Sequence, residues 1–316
     1  MIGEREVDGY AALTLVSDGA DGIEAAFVPG AGMVGCSLRH RGEELLGQRG
    51  GLAKYVAERS TMGIPLLHPW ANRLSARRFT VAGRDVDLDL HPELVSVDAN
   101  GLPIHGLLAG APGWHVHHDE ERPDGTVLDG SFDFGADPRL LAAFPFEHEL
   151  RIQAVLSGET LRISTTLRAT GDAAVPVSFG YHPYLRIPGV PREQWKIEIP
   201  VMERLELDEE MLPTGRHEPG TIESGLLGER TFDDAFVAPR APANMEVSGG
   251  DRRIAVAFES GYPYAQVYAP ADDPVIALEP MTAPENALVS GAGLPLVSPG
   301  ESYEAVFSIQ VMADGR

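Results

Sequence analysis

The feature that most constrains the fold is a period-two alternation of apolar and polar residues between residues 146 and 168. From Phe146 to Leu156, apolar residues and one histidine occupy every second position, and the positions between them are polar as far as Gln153. After the turn Ser157-Gly158-Glu159, the alternation resumes from Leu161 to Arg168. Such alternation collects apolar side chains on one face of a strand. The segment therefore predicts a long antiparallel hairpin with one wet face.

Further segments of this kind, with few helical signals, predict an all-β fold. The strands are predicted at Tyr10–Val16, Arg78–Leu90, Trp114–Asp119, Arg253–Glu259 and Glu301–Val311, and turns such as Ala82-Gly83-Arg84-Asp85 and Pro299-Gly300-Glu301 interrupt them. Short helices are predicted at Gly51–Arg59 and Asp137–Ala143, the second with Asp137 as N-cap and Pro138 at its first position. There is no internal repeat, low-complexity tract or linker. We expect a large antiparallel β-sandwich with a few short helices, formed as a single domain by residues 1–316.

Composition narrows the class of ligand. The net charge is -22, from 25 basic and 47 acidic residues, which argues against binding to nucleic acid or an anionic membrane and favours a neutral ligand. Cys36 is the one cysteine, so no intrachain disulfide can form, and we expect it to be a small buried hydrophobic residue. The N-terminus does not resemble a signal peptide, and no apolar run is long enough to span a bilayer. We expect a cytoplasmic protein.

Two proton-handling side chains lie far apart in the sequence, each directly before a proline. His182 follows Ser178-Phe179-Gly180-Tyr181, and Glu279 follows Ala277-Leu278. A following proline biases each residue toward extended backbone, and each also follows a run typical of a buried strand. We therefore expect both to be held at strand ends, where they could act as acid and base across one small substrate. Glu279 is then an ionised base unless burial raises its pKa.

Other polar side chains stand in apolar or proline-rich surroundings. Residues 63–74 place Asn72 and Arg73 beside a tryptophan and two prolines, and the guanidinium suits either hydroxyls or a carboxylate. Without other information, Arg73 is equally a surface arginine after a loop. His105 lies alone in the apolar run 102–108, which fits a core histidine as well as a binding residue.

Two more groups of polar residues are candidates for a sugar-binding site and a metal site. Asp233 and Asp234 lie between phenylalanines, where a carboxylate could accept hydrogen bonds from sugar hydroxyls while Phe236 covers the apolar face of the ring. A turn or helix cap is the alternative. His115 and His117 share one face of a strand, but no third ligand is evident from spacing, so we predict no metal site.

Taken together, five segments resemble the aldose 1-epimerase (galactose mutarotase-like) family. In the order of that family, they are Gly63–Leu74, Ile104-His105-Gly106, Gly180–Tyr184, Asp233–Phe236 and Leu278-Glu279-Pro280-Met281-Thr282. The His-Pro-Tyr and Glu-Pro motifs are the most specific of them. The resemblance covers most of the chain and implies a β-supersandwich whose open face holds a sugar, with no metal and no organic cofactor.

The resemblance also implies a role for each residue. His182 is the expected general acid at the ring oxygen, and Glu279 the expected base at the anomeric hydroxyl. Arg73 and His105 match substrate-binding residues, and Asp233 with Phe236 matches a binding aspartate and its aromatic neighbour, although the adjacent Asp234 fits nearly as well. Asn72 is a further candidate for contact with sugar hydroxyls. The implied activity is interconversion of the α and β anomers of a neutral aldohexose. We expect the small-molecule sugar as the binding partner, and a monomer or homodimer as the oligomeric state.

Three alternatives remain open. A hexose-6-phosphate 1-epimerase of the same fold has an arginine before Gly-Ile-Pro, whereas Thr61-Met62 precede Gly63 here. Arg77 and Arg78 nevertheless keep a phosphosugar open. A non-catalytic carbohydrate-binding protein on the same sandwich does not need both His182 and Glu279. A glycosidase needs two carboxylates that flank the scissile bond. Glu279 and Glu285 form a weak pair of this kind, because Glu285 is predicted to lie in a solvated loop.

Overall fold

The structure is a computed structural model that describes residues 2–17, 22–122, 125–240 and 243–313. Helices are short and few in these ranges. The α-helices are α1 Gly51–Glu58, α2 Pro138–Ala143 and α3 Ala287–Ser290. Single 3-10 turns span Pro29–Ala31, Leu88–Leu90, Pro92–Leu94, Phe134–Ala136 and Arg192–Gln194. No helix among the described residues is long and apolar enough to cross a membrane.

Strands make up most of the remaining regular structure. The first half of the chain contains β1 Ile2–Val7, β2 Tyr10–Val16, β3 Ile23–Val28, β4 Val34–His40, β5 Glu43–Glu44, β6 Leu66–Leu67, β7 Arg78–Val81, β8 Arg84–Asp87, β9 Ser96–Val97, β10 Pro103–Ile104, β11 His115–Arg122, β12 Gly125–Asp133, β13 His148–Ser157 and β14 Thr160–Ala169. The second half contains β15 Val175–Pro176, β16 Gly180–Tyr181, β17 Tyr184–Leu185, β18 Lys196–Glu198, β19 Glu203–Leu207, β20 Pro213–Pro219, β21 Gly225–Leu226, β22 Phe232–Val237, β23 Asn244–Gly249, β24 Arg252–Ser260, β25 Tyr264–Ala269, β26 Ile276–Met281, β27 Leu296–Val297 and β28 Ser302–Ala313.

Two large antiparallel sheets dominate the fold. The nine-stranded sheet has the order β11-β12-β13-β14-β28-β24-β23-β18-β21. The eight-stranded sheet has the order β20-β19-β22-β25-β26-β16-β6, with β17 also paired to β26. Strands β1 to β5 form a third sheet. The expectation of a large antiparallel β-sandwich with a few short helices is confirmed.

The hairpin predicted from the alternation is present. Strands β13 and β14 pair antiparallel from Ser157↔Thr160 to His148↔Ala169, and Leu150 to Leu156 on the apolar face are buried at every second position. Helix α2 also begins as predicted, because the Asp137 side chain accepts a hydrogen bond from the Arg139 N–H at 2.9 Å. Cys36 is buried on β4, and burial raises the pKa of its thiol to about 11.

Some boundaries differ from the sequence-based expectations. The predicted turn at Ala82-Gly83-Arg84-Asp85 is present, because Ala82 and Gly83 adopt positive φ and reverse the chain between β7 and β8. The strand structure ends at Asp87 and not at Leu90, because a 3-10 turn follows. Helix α3 was not predicted. Its four residues are too few for a helical period to show in the sequence.

The two large sheets pack together through a shared apolar core. Tyr181 of β16 lies 4.9 Å, centroid to centroid, from Phe307 of β28. The Tyr181 hydroxyl also hydrogen-bonds to Thr165 Oγ1 of β14 at 2.7 Å. One cluster of buried hydrophobic residues extends from Leu13 to Val311 in the sequence. One face of the eight-stranded sheet therefore packs in the core, and a functional site can lie on its other face.

Two buried histidines form a polar contact within this core. His148 Nδ1 donates to the Phe146 carbonyl at 2.7 Å, so the Nε2 of the neutral ring is an acceptor. His68 Nε2 lies 2.7 Å from that atom and must then donate to it. Phe134 stacks on His148 at 4.4 Å. Burial lowers the pKa of both imidazoles, that of His148 to about 4, and a proton added to His148 removes the acceptor that His68 uses.

We predict that this pair makes the protein lose stability in mild acid. In the unfolded chain, imidazoles bind protons below pH ~6.5, whereas in the folded protein His148 stays neutral until about pH 4. Between pH ~6.5 and about pH 4 the unfolded state therefore binds more protons than the folded state. In that range each buried imidazole lowers the free energy of unfolding by ~1.4 kcal/mol for each unit by which the pH falls. Urea unfolding at pH 5, 6 and 7.5 measures this slope.

The matched variants are His148→Gln and His115→Gln, the latter at an exposed histidine. His148→Gln should reduce the slope by about one proton, and His115→Gln should leave the slope of the wild type. Equal slopes in the wild type and His148→Gln would show that His148 titrates normally in the folded protein.

Candidate active site

Strand register brings His182 and Glu279 together. Strands β16 and β17 both pair antiparallel with β26, through Gly180↔Met281 and Tyr184↔Ala277. His182, midway between the two short strands, is therefore opposite Glu279. His182 Nε2 lies 3.1 Å from Glu279 Oε1. The expectation that Glu279 lies at a strand end is wrong, because β26 continues through Pro280 to Met281. The backbone on both sides of the carboxylate is therefore held.

The pair is almost completely buried, with exposed fractions of 5% for His182 and 1% for Glu279. Burial lowers the pKa of His182, and the nearby His105 and Arg49 lower it further. Burial raises the pKa of Glu279, and the carboxylates of Asp233 and Glu285 add to this. Both shifts favour the uncharged forms, a neutral imidazole and a protonated carboxyl group. His182 Nδ1 and Glu279 Oε2 have no hydrogen-bond partner among the described residues.

Aromatic rings surround the pair. Tyr184 stacks on His182 with its ring centroid 4.0 Å away, and Tyr268 and His105 each meet His182 edge-on at 5.6 Å. The Arg49 guanidinium lies over the Tyr184 ring, 4.8 Å from its centroid. The imidazole is thus fixed in orientation, and a partly exposed cation lies close to it.

Arg73 lies beside the pair at the centre of a cluster of carboxylates. Its Nε is 2.8 Å from Asp98, its Nη1 is 3.3 Å from Glu285 and its Nη2 is 3.5 Å from Asp233. Burial disfavours the charge, but Glu285, Asp98 and Asp233 outweigh it and raise the pKa of Arg73. The guanidinium is therefore a fixed, permanently charged donor and not the surface arginine that the isolated motif also allowed.

Glu285 is a correction to the sequence-based expectation. It was predicted in a solvated loop, but its exposed fraction is 1%. Its Oε1 accepts a hydrogen bond from the Arg73 backbone N–H at 3.0 Å in addition to the guanidinium contact. Burial raises the pKa of Glu285 to about 7 against the opposing effect of Arg73. The solvated position of Glu285, which was the reason against a glycosidase, is therefore wrong. The Glu285 carboxylate is nevertheless engaged with Arg73.

The alternation of β22 distinguishes its two aspartates. Asp233 is paired with Tyr268 of β25 and accepts a hydrogen bond from Gln266 Nε2 at 2.7 Å, on the same face as Glu279. Asp234 points away and pairs with Arg204 at 3.2 Å. Phe236 does not line the site, because three residues along a strand reverse the facing of the side chain. It belongs to the buried core instead.

Asn72 and His105 are placed by unusual backbone, with φ values of 54° and 63°. The His105 N–H donates to the Asn72 carbonyl at 3.0 Å, which joins the two loops. Gly106 approaches His68 so closely that an added Cβ would lie 2.1 Å from the His68 carbonyl oxygen. Burial, with Arg73 and Arg49, lowers the pKa of His105 to about 3, so it is a neutral ring. The Asn72 amide contacts the Met281 sulfur at 3.4 Å.

Other residues considered from the sequence lie elsewhere. His117 hydrogen-bonds to Ser131 on β12 at 2.7 Å, and its ring lies 4.8 Å from that of His115. No group of three or more His, Cys, Asp or Glu side chains in the described ranges could hold a metal ion. Arg78 pairs with Asp87 at the end of β8, and Arg77 pairs with Asp89 in the 3-10 turn that follows.

Several residues of the cluster were not found by sequence reasoning. They are Arg49, Asp98, Tyr268, Gln266 and Glu285. Each reaches the site through contacts with residues distant in the chain, such as Arg73 with Asp98 or Asp233 with Gln266. A lone charged or aromatic residue in a loop or on a strand carries no local pattern. The period-two alternation of β25 was the one available signal, since it puts Gln266 and Tyr268 on one face.

A buried histidine–carboxylate pair thus lies beside a fixed arginine on one face of an antiparallel β-sandwich, and side chains of these types are the ones that can exchange protons with a small polar ligand. Comparison with known proteins agrees with this class. The family model described as aldose 1-epimerase matches residues 20–310. The chain belongs to the aldose 1-epimerase family.

Similar proteins match most of the chain. The chain is 23% identical to Escherichia coli K12 protein YihR over 263 residues, which is 78% of this chain and 80% of YihR. Among solved structures, Slr1438 from Synechocystis is 25% identical with a TM-score of 0.77, covering 98% of each chain. A galactose mutarotase-like protein from Clostridium acetobutylicum is 20% identical with a TM-score of 0.84, covering 99% of this chain and 98% of the other. The latter likeness supports the fold.

We predict that Glu285 contributes strongly to stability through Arg73. Glu285→Ala removes the acceptor of the Arg73 backbone N–H and one buried counter-charge, and should lower the free energy of unfolding by about 3–5 kcal/mol. Glu285→Gln keeps an oxygen for the N–H and should cost less than ~2 kcal/mol. Chemical denaturation measures both values.

Glu209→Ala is the control, because Glu209 is an exposed glutamate in a turn. Its effect should stay within about 0.5 kcal/mol. A cost for Glu285→Ala as small as that of the control would mean that Glu285 does not hold Arg73.

Proposed function

We propose that the protein is a mutarotase, which interconverts the α and β anomers of a neutral aldohexose without a cofactor. The observation that carries the proposal is the direct 3.1 Å contact between His182 Nε2 and Glu279 Oε1. The two oxygens bonded to the anomeric carbon of a pyranose share that one carbon, so a neighbouring donor and acceptor can each reach one of them. A donor and an acceptor at this spacing can serve both oxygens of one hemiacetal.

The reaction begins with a proton transfer within the pair. In the free protein the carboxyl group of Glu279 holds the proton, and its movement across the contact gives an imidazolium and a carboxylate. Glu279 then accepts the proton from the anomeric hydroxyl while His182 donates its proton to the ring oxygen. The C1–O5 bond breaks as the C1–O1 double bond of the aldehyde forms. The pair loses one proton and gains one, so no proton is exchanged with solvent.

Ring closure reverses these transfers on the other face of the aldehyde. Rotation about C1–C2 presents the opposite face to the C5 hydroxyl. His182 takes the proton from this hydroxyl as the C1–O5 bond forms, and Glu279 returns a proton to O1. The opposite anomer is released and the pair has its original proton.

Neighbouring groups would bind and polarise the sugar. The charged Arg73 and the neutral ring of His105 can stabilise negative charge that develops on oxygen as the ring opens. Asp233, held by Gln266 and Arg73, would accept hydrogen bonds from hydroxyl groups. Asn72 would supply a further polar contact. The aromatic residue beside Asp233 is then Tyr268 and not Phe236, because Asp233 of β22 pairs with Tyr268 of β25.

We predict that Glu279→Gln and His182→Asn each slow mutarotation by about 10²–10⁴-fold, because each removes one proton-transfer group. The assay is the polarimetric drift of freshly dissolved α-glucose and α-galactose. His115→Asn, which removes a histidine far from the pair, should keep the rate of the wild type. If the wild-type protein binds sugar but does not accelerate the drift, it is instead a carbohydrate-binding protein.

A phosphosugar substrate is the second candidate, and Arg49 favours it. Arg49 lies over Tyr184 beside the pair, and its Nε is 3.6 Å from Asp273, a longer ion pair than the 2.8 Å contact of Arg73 with Asp98. It therefore remains partly available to an anionic group on the sugar.

The two candidates predict opposite substrate preferences. For a mutarotase of neutral sugars, kcat/KM should be higher for glucose than for glucose 6-phosphate, and Arg49→Gln should not lower the ratio between them. If the phosphate is preferred, and Arg49→Gln removes about tenfold of that preference, the protein is a hexose-6-phosphate epimerase.

A further inference from the structure

The imidazole of His182 is stacked on a tyrosine that also carries a cation. The ring of Tyr184 lies within 16° of parallel to the imidazole, and the two centroids are 4.0 Å apart. The guanidinium carbon of Arg49 lies over the same Tyr184 ring, 4.8 Å from its centroid. The proposed proton transfers use neither Tyr184 nor Arg49.

The structure holds Tyr184 through both its backbone and its hydroxyl group. The Tyr184 N–H donates to the Gly63 carbonyl at 2.9 Å, and the Tyr184 carbonyl accepts from the Gly47 N–H at 2.8 Å. The hydroxyl hydrogen-bonds to Thr61 Oγ1 at 2.6 Å, and Tyr184 is only 1% exposed. A ring fixed in this way limits the imidazole stacked on it to the orientation in which Nε2 meets Glu279.

The loop that brings Arg49 to this ring is itself closely packed. Arg49 has a φ of 45°, a backbone conformation that few residues other than glycine adopt. Gly47 approaches Val275 so closely that an added Cβ would lie 2.5 Å from Val275 Cγ1. The Arg49 Nε is 3.6 Å from Asp273, in the same segment as Val275. The backbone and the ion pair therefore hold the guanidinium against Tyr184.

The titratable and charged groups around His182 come from several elements. They are Glu279 of β26, Tyr184 of β17, Tyr268 of β25, His105 in the loop after β10, and Arg49. Both phenols are neutral, because burial raises their pKa values. His105 is neutral as well, since its pKa is about 3. Among these groups, Arg49 is the permanent cation.

A cation at this position opposes protonation of the imidazole. Like charges repel more strongly in a buried site than in water. Arg49 also occupies the Tyr184 ring, whose π electrons would otherwise stabilise an imidazolium stacked on it. Both effects add to burial, which is the main cause of the lowered pKa of His182.

The proposed reaction needs a pair that carries one proton. A second proton would leave an imidazolium beside a carboxyl group, and neither group could then accept the proton of the anomeric hydroxyl. We propose that Arg49, acting on the imidazole of His182 across the Tyr184 ring, keeps a second proton off the pair in mild acid. Arg49 and Tyr184 are then positioning residues. The consequence for catalysis rests on the proposed mutarotase function, whereas the effect on His182 does not.

The charge state of His182 can be measured without any sugar. NMR of isotope-labelled histidine between pH 5 and 8 reports protonation of each imidazole, and His182→Asn assigns the signal. In the wild type, His182 should stay neutral down to pH 5. In Arg49→Gln, a larger fraction of His182 should carry a proton at pH 5, whereas Arg49→Lys keeps the charge and should resemble the wild type.

The control for this titration is Arg139→Gln, which removes one positive charge from an exposed arginine on α2. It should leave the titration of His182 as in the wild type. Circular dichroism at each pH restricts the comparison to folded protein. If Arg49→Gln and the wild type show the same protonated fraction at every pH, Arg49 does not keep the second proton away and the proposal is wrong.

The kinetic test follows the mutarotation of glucose over the same pH range. The ratio of kcat/KM between Arg49→Gln and Arg49→Lys should be about three- to tenfold lower at pH 5 than at pH 8, since more of the pair then lacks an acceptor. Glucose has no anionic group, so the loss of an anion contact cannot produce this change. A ratio that is the same at both pH values contradicts the proposal.

Tyr184 is tested by the presence or absence of its ring. Tyr184→Phe keeps a ring stacked on His182, whereas Tyr184→Leu removes it and frees the imidazole to turn. At pH 8, kcat of Tyr184→Leu should be at least about tenfold below that of Tyr184→Phe, with KM changed less. Equal kcat values in the two variants would show that the stack does not position His182.

The two measurements separate this inference from the proposed function. If no sugar is turned over, the mutarotase proposal fails, and the NMR titration still decides whether Arg49 controls the proton on His182. If glucose is turned over and the titration of His182 is insensitive to Arg49→Gln, the mutarotase proposal stands and this inference fails.

Discussion

The site depends above all on the antiparallel pairing of two short strands, β16 and β17, with β26. This register sets His182 opposite Glu279 and removes both from water. Backbone hydrogen bonds of the sheet therefore position the acid and the base, and the side chains need little further support. Burial then favours the uncharged forms of both groups, in which the carboxyl group carries the one proton of the pair. The proposed chemistry follows from that single proton, because one transfer within the contact prepares both groups.

The second constraint is the burial of a positive charge. Arg73 is held close to three carboxylates, and Glu285 fixes both its backbone and its guanidinium. An uncompensated charge at this depth would be costly, so the arginine and its partners are stable only as a set. This arrangement gives the site a donor of fixed position and links the loop at residue 73 to the segment that follows β26.

The sequence predicted the parts of the structure with a local pattern. The alternation at residues 146–168 predicted the β13–β14 hairpin, and Asp137-Pro138 predicted the start of α2, because strand period and helix capping are encoded by near neighbours. The motifs around His182, Glu279 and Arg73 predicted residues that the fold does bring together. The contacts of Glu285 and Asp98 with Arg73 were not predictable, since they join segments far apart in the chain. The position of Phe236 was predicted wrongly, because three residues along β22 place the side chains of Asp233 and Phe236 on opposite faces of the sheet.

The location of the pair within strands has a consequence for how the family can diversify. The strands that carry His182 and Glu279 must keep their register, so their sequence has little freedom. The loops that carry Asn72 and His105, by contrast, lie outside these strands. Insertions or substitutions there would alter which sugars fit while leaving the proton chemistry in place.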